Sequence, residues 1–311
     1  MLVPTLLTAG PDRPTKFSNR NGVANTRHNL TQRPPDQSGG VINASLMDTQ
    51  RNDYDEVCVY CHTPHQANRQ VAAPLWNRTA PTLDYTRYAP SPGSTLTAAD
   101  VTDPGPNSLT CLSCHDGSVG IDSIINMPNV SPWTGQPSAN YDVSQETGQN
   151  NGFLNSWGNP QQNVSHVSMG DQTGQLTGND SAVGCMACHS NTPFGNSIGG
   201  NATDFAAFLI SKDLTNDHPI GVRFPTAPGA DFNAPSGVLA GRALFYDGDG
   251  DGRPDPEEIR LYDTGEGPEV ECASCHDPHG VPSAGPGSQH YRSFLRVDNS
   301  RSGVCLTCHA K

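Results

Sequence analysis

Ten cysteines in this chain fall into five copies of one pattern, Cys-x-x-Cys-His, with none left over. Chance would give on the order of 0.01 such matches in a chain of this composition. Positions i and i+3 of a helical turn share a face, so two thiols can bond both vinyl groups of one porphyrin while the adjacent histidine reaches the iron. The pattern predicts five covalently attached haems. The thioether cysteines are Cys58, Cys61, Cys111, Cys114, Cys185, Cys188, Cys272, Cys275, Cys305 and Cys308, and the proximal histidines are His62, His115, His189, His276 and His309.

Zinc and disulfide bonds are the other common uses of paired cysteines. Structural zinc needs Cys-x-x-Cys pairs recruited in twos, or matched to a His-x-x-x-His spacing. Five pairs that are each followed at once by histidine fit that requirement poorly. Five vicinal pairs would also be redox motifs rather than structural disulfides. The sequence favours haem over both.

Six further histidines are available to occupy the second axial position of five irons. Methionine is the competing axial ligand, and Met169, three residues after one of these histidines, is the only methionine that the context favours. Bis-histidine ligation is therefore expected. The predicted distal ligands are His28, His65, His166, His218 and His279, with His290 as a spare.

Two of these histidines lie three residues after a proximal histidine, in Cys61-His62-Thr-Pro-His65 and Cys275-His276-Asp-Pro-His279. Each is too close to its own iron to bind it from the opposite side. We expect each to ligate the iron of a neighbouring haem, which requires the two porphyrins to lie close together.

The composition is poor in the residues that build a core. Apolar residues make up 34% and aromatic residues 6% of 311 residues, while glycine (32) and proline (27) are abundant. A large protein-only core is therefore not expected. The net charge of −13 and the small number of lysines argue against nucleic acid as a partner. No apolar stretch is long enough for a transmembrane helix.

Little regular secondary structure is predicted. The best helix candidate is 202–212, and short strands are plausible at 238–246 and 258–263. We expect mostly coil with few short helices and strands, organised by five covalent haems rather than by a sheet or a helical bundle. Residues 1–57 form an N-terminal extended arm, and residues 58–311 form the pentahaem core.

A second chemical signal lies at 247–258. Laid on the twelve-residue calcium loop, carboxylates occupy positions 1, 3, 5, 9 and 12, and Gly252 falls at position 6. Pro254 at position 8 and the lack of clear flanking helices are departures, and a solvated acidic turn is the alternative. We expect a structural calcium site whose ligands are Asp247, Asp249, Asp251, the Arg253 carbonyl, Asp255 and Glu258.

Several segments resemble the multihaem c-type cytochromes with doubled haem motifs, and among them the extracellular cytochromes that polymerise into conductive filaments. The matching segments are Cys58–His65 followed by Ala73-Pro-Leu-Trp-Asn77, Cys111–Gly117, Cys272–Gly280, His218–Val222, and Phe294–Asn299 leading into the last motif. They cover about a quarter of the chain. The resemblance implies bis-histidine haems in stacked pairs, little secondary structure, and a histidine of one subunit that ligates a haem of the next. His28 is the candidate for that role.

The resulting hypothesis is an electron-transfer protein rather than an enzyme. It would conduct electrons along stacked haems, polymerise end to end, and pass electrons to redox partner cytochromes or extracellular acceptors. Because haem c is attached outside the cytoplasm, we expect an exported, extracellular or cell-surface chain whose leader has been removed. A soluble periplasmic shuttle is the alternative. A multihaem reductase is less favoured, because it needs an iron with an open axial position. Every motif here ends in histidine, and enough further histidines exist to occupy the second axial position of every iron.

Overall fold

The computed structural model describes residues 22–26, 28–30, 57–78, 84–90, 96–121, 124–126, 169, 208–225, 229, 231–281 and 293–310. This part of the chain is mostly irregular coil around a few short helices and one small antiparallel sheet. The coarse fold class predicted from the sequence is confirmed. None of the helices described here has the length and apolar character needed to cross a bilayer.

The α-helices of the described residues all carry a cysteine–histidine motif. They are α1 (Pro106–His115), α2 (Cys272–Cys275) and α3 (Gly303–Cys308). The first motif forms a helical turn instead, in which the His62 N–H donates to the Cys58 carbonyl at 2.8 Å. Each described motif therefore presents its two cysteines on one face. Short 3-10 helices lie at Val23–Asn25, Ala98–Asp100 and Ser300–Ser302.

Five short strands build the sheet, in the spatial order β1-β5-β4-β3-β2, with antiparallel pairing throughout. The strands are β1 (Val222–Arg223), β2 (Gly237–Leu239), β3 (Ala243–Phe245), β4 (Arg260–Asp263) and β5 (Pro268–Val270). An isolated bridge from Val101 covers the β1 edge. Strand β5 leads directly into α2, so the sheet fixes the position of the fourth motif.

The expectation that no sheet forms is wrong. The segment predicted as one strand at 238–246 is a hairpin, because the chain turns at 240–242 with Gly241 at φ +67°. The strand predicted at 258–263 is present as β4. Strands β1 and β5 have two and three residues, too few for their alternation to stand out in the sequence.

The helix predicted at 202–212 lies largely outside the described residues, and the chain is not helical at 209–212. There the backbone N–H groups of Ile210 and Ser211 donate to the His115 carbonyl, at 2.9 and 3.1 Å. Ser211 also has a positive φ of 63°. Bonds to a distant helix end have replaced the local bonds that a helix would need.

The apolar core is divided into small clusters. Tyr60 and Ile124 form one beside the first motif, and Tyr85, Leu112 and Leu214 form another behind α1. Phe245 and Leu261 are fully buried in the sheet. Polar side chains are buried between these clusters, so hydrogen bonds carry much of the internal packing.

Gly237 gives a direct test of the sheet packing. A Cβ at this position would collide with the ring of Phe245, which is fully buried and cannot swing into solvent. We expect Gly237→Ala to lower the free energy of unfolding by roughly 1–3 kcal/mol through overpacking, measured by chemical denaturation. Val238→Ala is the control, because Val238 is 68% exposed, and it should change stability by less than about 0.5 kcal/mol. Equal effects of the two variants would contradict the packing.

Candidate cofactor sites at the cysteine–histidine motifs

Three of the four described motif histidines are oriented by hydrogen bonds from the ring to main-chain oxygens. Nδ1 of His62 lies 2.7 Å from the Pro74 carbonyl, Nδ1 of His115 lies 2.6 Å from the Phe208 carbonyl, and Nδ1 of His276 lies 2.5 Å from the Ser293 carbonyl. A carbonyl only accepts, so Nδ1 donates in each bond and Nε2 is the ring nitrogen left for another partner. This is the arrangement that orients a metal-binding imidazole.

Three predicted distal histidines show the same feature. Nδ1 of His28 lies 3.2 Å from the Pro278 carbonyl, Nδ1 of His218 lies 3.0 Å from the Pro219 carbonyl, and Nδ1 of His279 lies 3.0 Å from Oδ1 of Asp277. All three rings therefore keep Nε2 for another partner.

Two predicted proximal and two predicted distal rings lie close together in pairs. The ring centres of His62 and His279 are 6.2 Å apart, with planes 11° from parallel. Those of His28 and His115 are 6.1 Å apart, with planes at 72°. Metal–imidazole bonds are about 2 Å long and a ring centre lies about 1 Å behind its nitrogen, so two imidazoles on opposite sides of one metal have centres roughly 6 Å apart. The separations fit one iron per pair.

His28 lies against its own chain, which differs from its candidate role as an inter-subunit ligand. Its ring stacks on Phe294 with centres 4.5 Å apart, besides bonding to Pro278 and facing His115. Burial lowers the pKa of His28 to about 4, and the charge of His115 adds to the shift. These contacts place the imidazole within its own chain.

His218 and His309 influence each other electrostatically. Burial lowers the pKa of His218, and the nearby charge of His309 lowers it further. His309 is held on its other side by Phe232, whose ring centre is 5.0 Å away. His65 is exposed, although its carbonyl accepts hydrogen bonds from Thr63 and Asn126.

Cysteines of neighbouring motifs influence one another. Burial raises the pKa of Cys61 to about 12, and Cys114 of the second motif adds to that rise. The pKa of Cys111 is raised first by its hydrogen bond to Cys272 of the fourth motif. Burial raises the pKa of Cys275 to about 12, and Cys308 of the fifth motif adds to it. Hydrogen bonds place the first, second and fourth motifs in a row. The Asn77 N–H donates to the Cys61 carbonyl while the adjacent Arg78 donates to Ser113, and the Cys272 N–H donates to Oγ of Ser108 in α1 at 2.9 Å. The eight described cysteines form no disulfide.

Buried charged side chains lie at the junctions of this row. Arg78 is 1% exposed and hydrogen-bonds within the second motif. Arg296 donates to the Ala273 carbonyl of the fourth motif at 3.0 Å and pairs with Asp277 at 3.1 Å. Glu271, directly before Cys272, contacts Ser108 of α1. The sequence analysis did not identify these residues, because isolated Arg and Glu residues give no local signal of burial.

The acidic loop 247–258 joins β3 to β4 and gathers its carboxylates. Oxygens of Asp247, Asp249 and Glu258 lie within 4.8 Å of one another, and so do those of Asp249, Asp251 and Asp255. Glu258 is buried and accepts from the Gly248 N–H at 2.6 Å and the Asp255 N–H at 3.0 Å. The loop lies in a β-hairpin, so the helices that flank many calcium loops are not present on either side. The Arg253 backbone N–H donates to Oδ1 of Asp251 at 2.7 Å. The carbonyl of Arg253 is the predicted ligand atom.

The third motif (185–189), His166 and His290 lie outside the described residues, as does most of the predicted N-terminal arm. The part of that arm that is described packs on the fourth motif, where the Gly22 N–H donates to the His279 carbonyl at 3.1 Å. Met169 is buried against Phe208 and Leu209, the segment that orients His115.

No protein-family model matches the chain, and no curated protein is significantly similar to it.

Glu271 predicts a pH-dependent stability. Burial raises its pKa to about 7, and the neighbouring Glu269 adds to that rise against the hydrogen bond from Ser108. The folded-state pKa lies above the ordinary value, so the stabilisation is complete below about pH 4.5 and is lost as pH rises through 7. We expect the free energy of unfolding to fall by roughly 2–3 kcal/mol between pH 4.5 and 8 from this group.

The measurement is urea denaturation of the native chain and of Glu271→Gln across this pH range. The amide keeps an acceptor for the Ser108 hydroxyl but cannot ionise, so the variant should lose this part of the pH dependence. Glu266→Gln is the control, since Glu266 is exposed. Identical pH profiles for wild type and Glu271→Gln would contradict the assignment.

Proposed function

We propose that this protein is a pentahaem c-type cytochrome that transfers electrons along a row of bis-histidine haems. The observation that carries the proposal is the combination of five Cys-x-x-Cys-His motifs with imidazole pairs about 6 Å apart. Both members of each pair have Nδ1 bonded to oxygen. Haem iron, when bound, supplies reversible one-electron chemistry.

The donor set of the chain fits this cofactor. Each described motif is a helical turn with both cysteines on one face, and the histidine follows directly. His62, His115 and His309 would be the proximal ligands opposite His279, His28 and His218. For the irons of the third and fourth motifs, His65, His166 and His290 remain as candidates.

The residues of the chain fix the imidazoles so that ligation needs little rearrangement. Their ring nitrogens are held by carbonyls of separate segments, and Asp277 holds His279 while being held itself by Arg296. Contacts between successive motifs keep neighbouring sites close, which short-range electron transfer requires.

We further propose that the protein works outside the cytoplasm, carrying electrons to redox partners or extracellular acceptors as an end-to-end homopolymer. The resemblance of the motif segments to filament-forming cytochromes supports this. Imaging of the native particle distinguishes the filament from the soluble shuttle: filaments support polymerisation, and single particles at all concentrations support the shuttle.

Removal of His28 tests its ligation within one chain. In protein that is dissociated to monomers, we expect Phe294→Leu and wild type to keep all haems low-spin. His28→Ala should convert one haem in five to a high-spin form that binds carbon monoxide when reduced. The measurements are haem counting by mass, electron paramagnetic resonance and carbon monoxide difference spectra.

Two outcomes would contradict this proposal. A chain without attached haem, after expression with a haem c attachment system, would refute the function. A high-spin haem already present in wild-type monomers, unchanged by His28→Ala, would show that His28 is not the ligand of the second motif's iron.

We also propose that loop 247–258 binds calcium as a structural ion. Five carboxylates and one main-chain carbonyl give the oxygen-rich ligand set that calcium prefers. Glu258 is buried, so an ion here would offset the cost of its charge.

Calcium titration of chelator-treated protein tests this site. Asp249 contributes to both carboxylate groups, so Asp249→Asn should weaken calcium binding at least about tenfold through loss of a charged ligand. Glu257→Gln removes one charge from the same loop outside the ligand set, and it should bind like wild type. No binding heat up to millimolar calcium, or equal losses in both variants, would refute the site.

A further inference from the structure

Arg78 is a buried cation that lies between the first and second motifs. Its side chain is 1% exposed. Nε donates to Oγ of Ser113 at 3.1 Å, and Nη2 donates to the Ser113 carbonyl at 2.8 Å. Ser113 stands directly before Cys114. Asn77, directly before Arg78, donates its N–H to the Cys61 carbonyl of the first motif at 2.9 Å.

All of its acceptors are neutral. Besides Ser113, Nη1 donates to the Ile121 carbonyl at 2.9 Å and Nη2 to the Gly120 carbonyl at 3.0 Å. No carboxylate of the described residues lies within ion-pair distance of the guanidinium. Asp116, which directly follows α1, accepts hydrogen bonds from the Tyr85 hydroxyl at 2.9 Å and from Ser118. Four of the five N–H donors are satisfied, while the part of the chain that the structure describes supplies no counterion for the charge.

A second buried arginine in the same chain, Arg296, does have a carboxylate partner. Arg296 is also buried and also donates to a carbonyl inside a motif, that of Ala273. It is paired with Asp277 at 3.1 Å, so the two form a nearly neutral unit. Arg78 therefore supports the second motif without a carboxylate partner among the described residues, and Arg296 supports the fourth motif with one.

An unpaired buried charge costs several kcal/mol. Arginine cannot lower this cost by losing its proton. The cost falls when a negative charge is added nearby. Reduction of a haem adds one negative charge without breaking or forming a bond, so a neighbouring fixed cation stabilises the reduced state.

We propose that Arg78 is a redox-tuning residue that raises the reduction potentials of the haems held by the first and second motifs. This inference rests on the proposed function. The haems of the first two motifs would then have higher reduction potentials than the haem of the fourth motif, because the buried Arg296 beside that motif is neutralised by Asp277.

The test is a potentiometric titration of the haem-loaded protein, with individual haems resolved by nuclear magnetic resonance. Arg78→Gln should lower two of the five potentials, each by about tenfold in the reduction equilibrium constant, or 59 mV for one electron. Arg78→Lys keeps the charge and should retain the wild-type potentials, although it loses the two-pronged contact with Ser113. A purely structural role predicts the opposite for lysine.

Ser113→Asp provides a second route if Arg78→Gln fails to accumulate. It places a carboxylate beside the guanidinium while keeping Arg78, and it should lower the same two potentials. Ser113→Ala is its control and should leave them unchanged. Five attached haems with unaltered potentials in Arg78→Gln or Ser113→Asp would overturn the inference and leave the proposed function intact, whereas absence of haem would overturn the function itself.

Discussion

The hydrogen bond from an imidazole Nδ1 to a main-chain carbonyl is the interaction on which the rest of this structure depends. It joins His115 to Phe208, 93 residues apart, and His28 to Pro278, 250 residues apart. Each bond fixes a ring and at the same time ties a coil segment to a motif. A chain with few helices and strands thus gains long-range order from the groups that also make its imidazoles good metal ligands.

Buried polar side chains extend the same principle. Asn77 donates to the Val59 carbonyl and accepts from the Asn126 N–H, while Arg296 joins Pro256, Ala273 and Asp277. These residues are almost fully buried, where a satisfied hydrogen bond stabilises the fold and a missing partner destabilises it. The small apolar clusters fill the spaces between such networks. The lean apolar composition is consistent with this division.

The sequence predicted the elements that depend on local pattern. The motif spacing predicted helical turns, and the turn-flanked strand at 258–263 was recognisable. The pairing of His62 with His279 agrees with the argument that a histidine three residues after a motif must serve another site. The placement of His28 was not predictable, because it depends on Phe294 and Pro278 from the far end of the chain. Arg78 and Glu271 were missed for a related reason: burial of a single charged residue is decided by tertiary contacts.

The segment Pro278–His279 lies beside histidines of the N-terminal part of the chain. His279 faces His62, and the Pro278 carbonyl orients His28 opposite His115. Cys58 and Cys111 precede this segment by more than 150 residues. In the proposed cytochrome, haem attached to the first two motifs during N-terminal-first export would sit on an open chain, and the second axial histidine would arrive later. Maturation would then have an early covalent stage and a late closing stage.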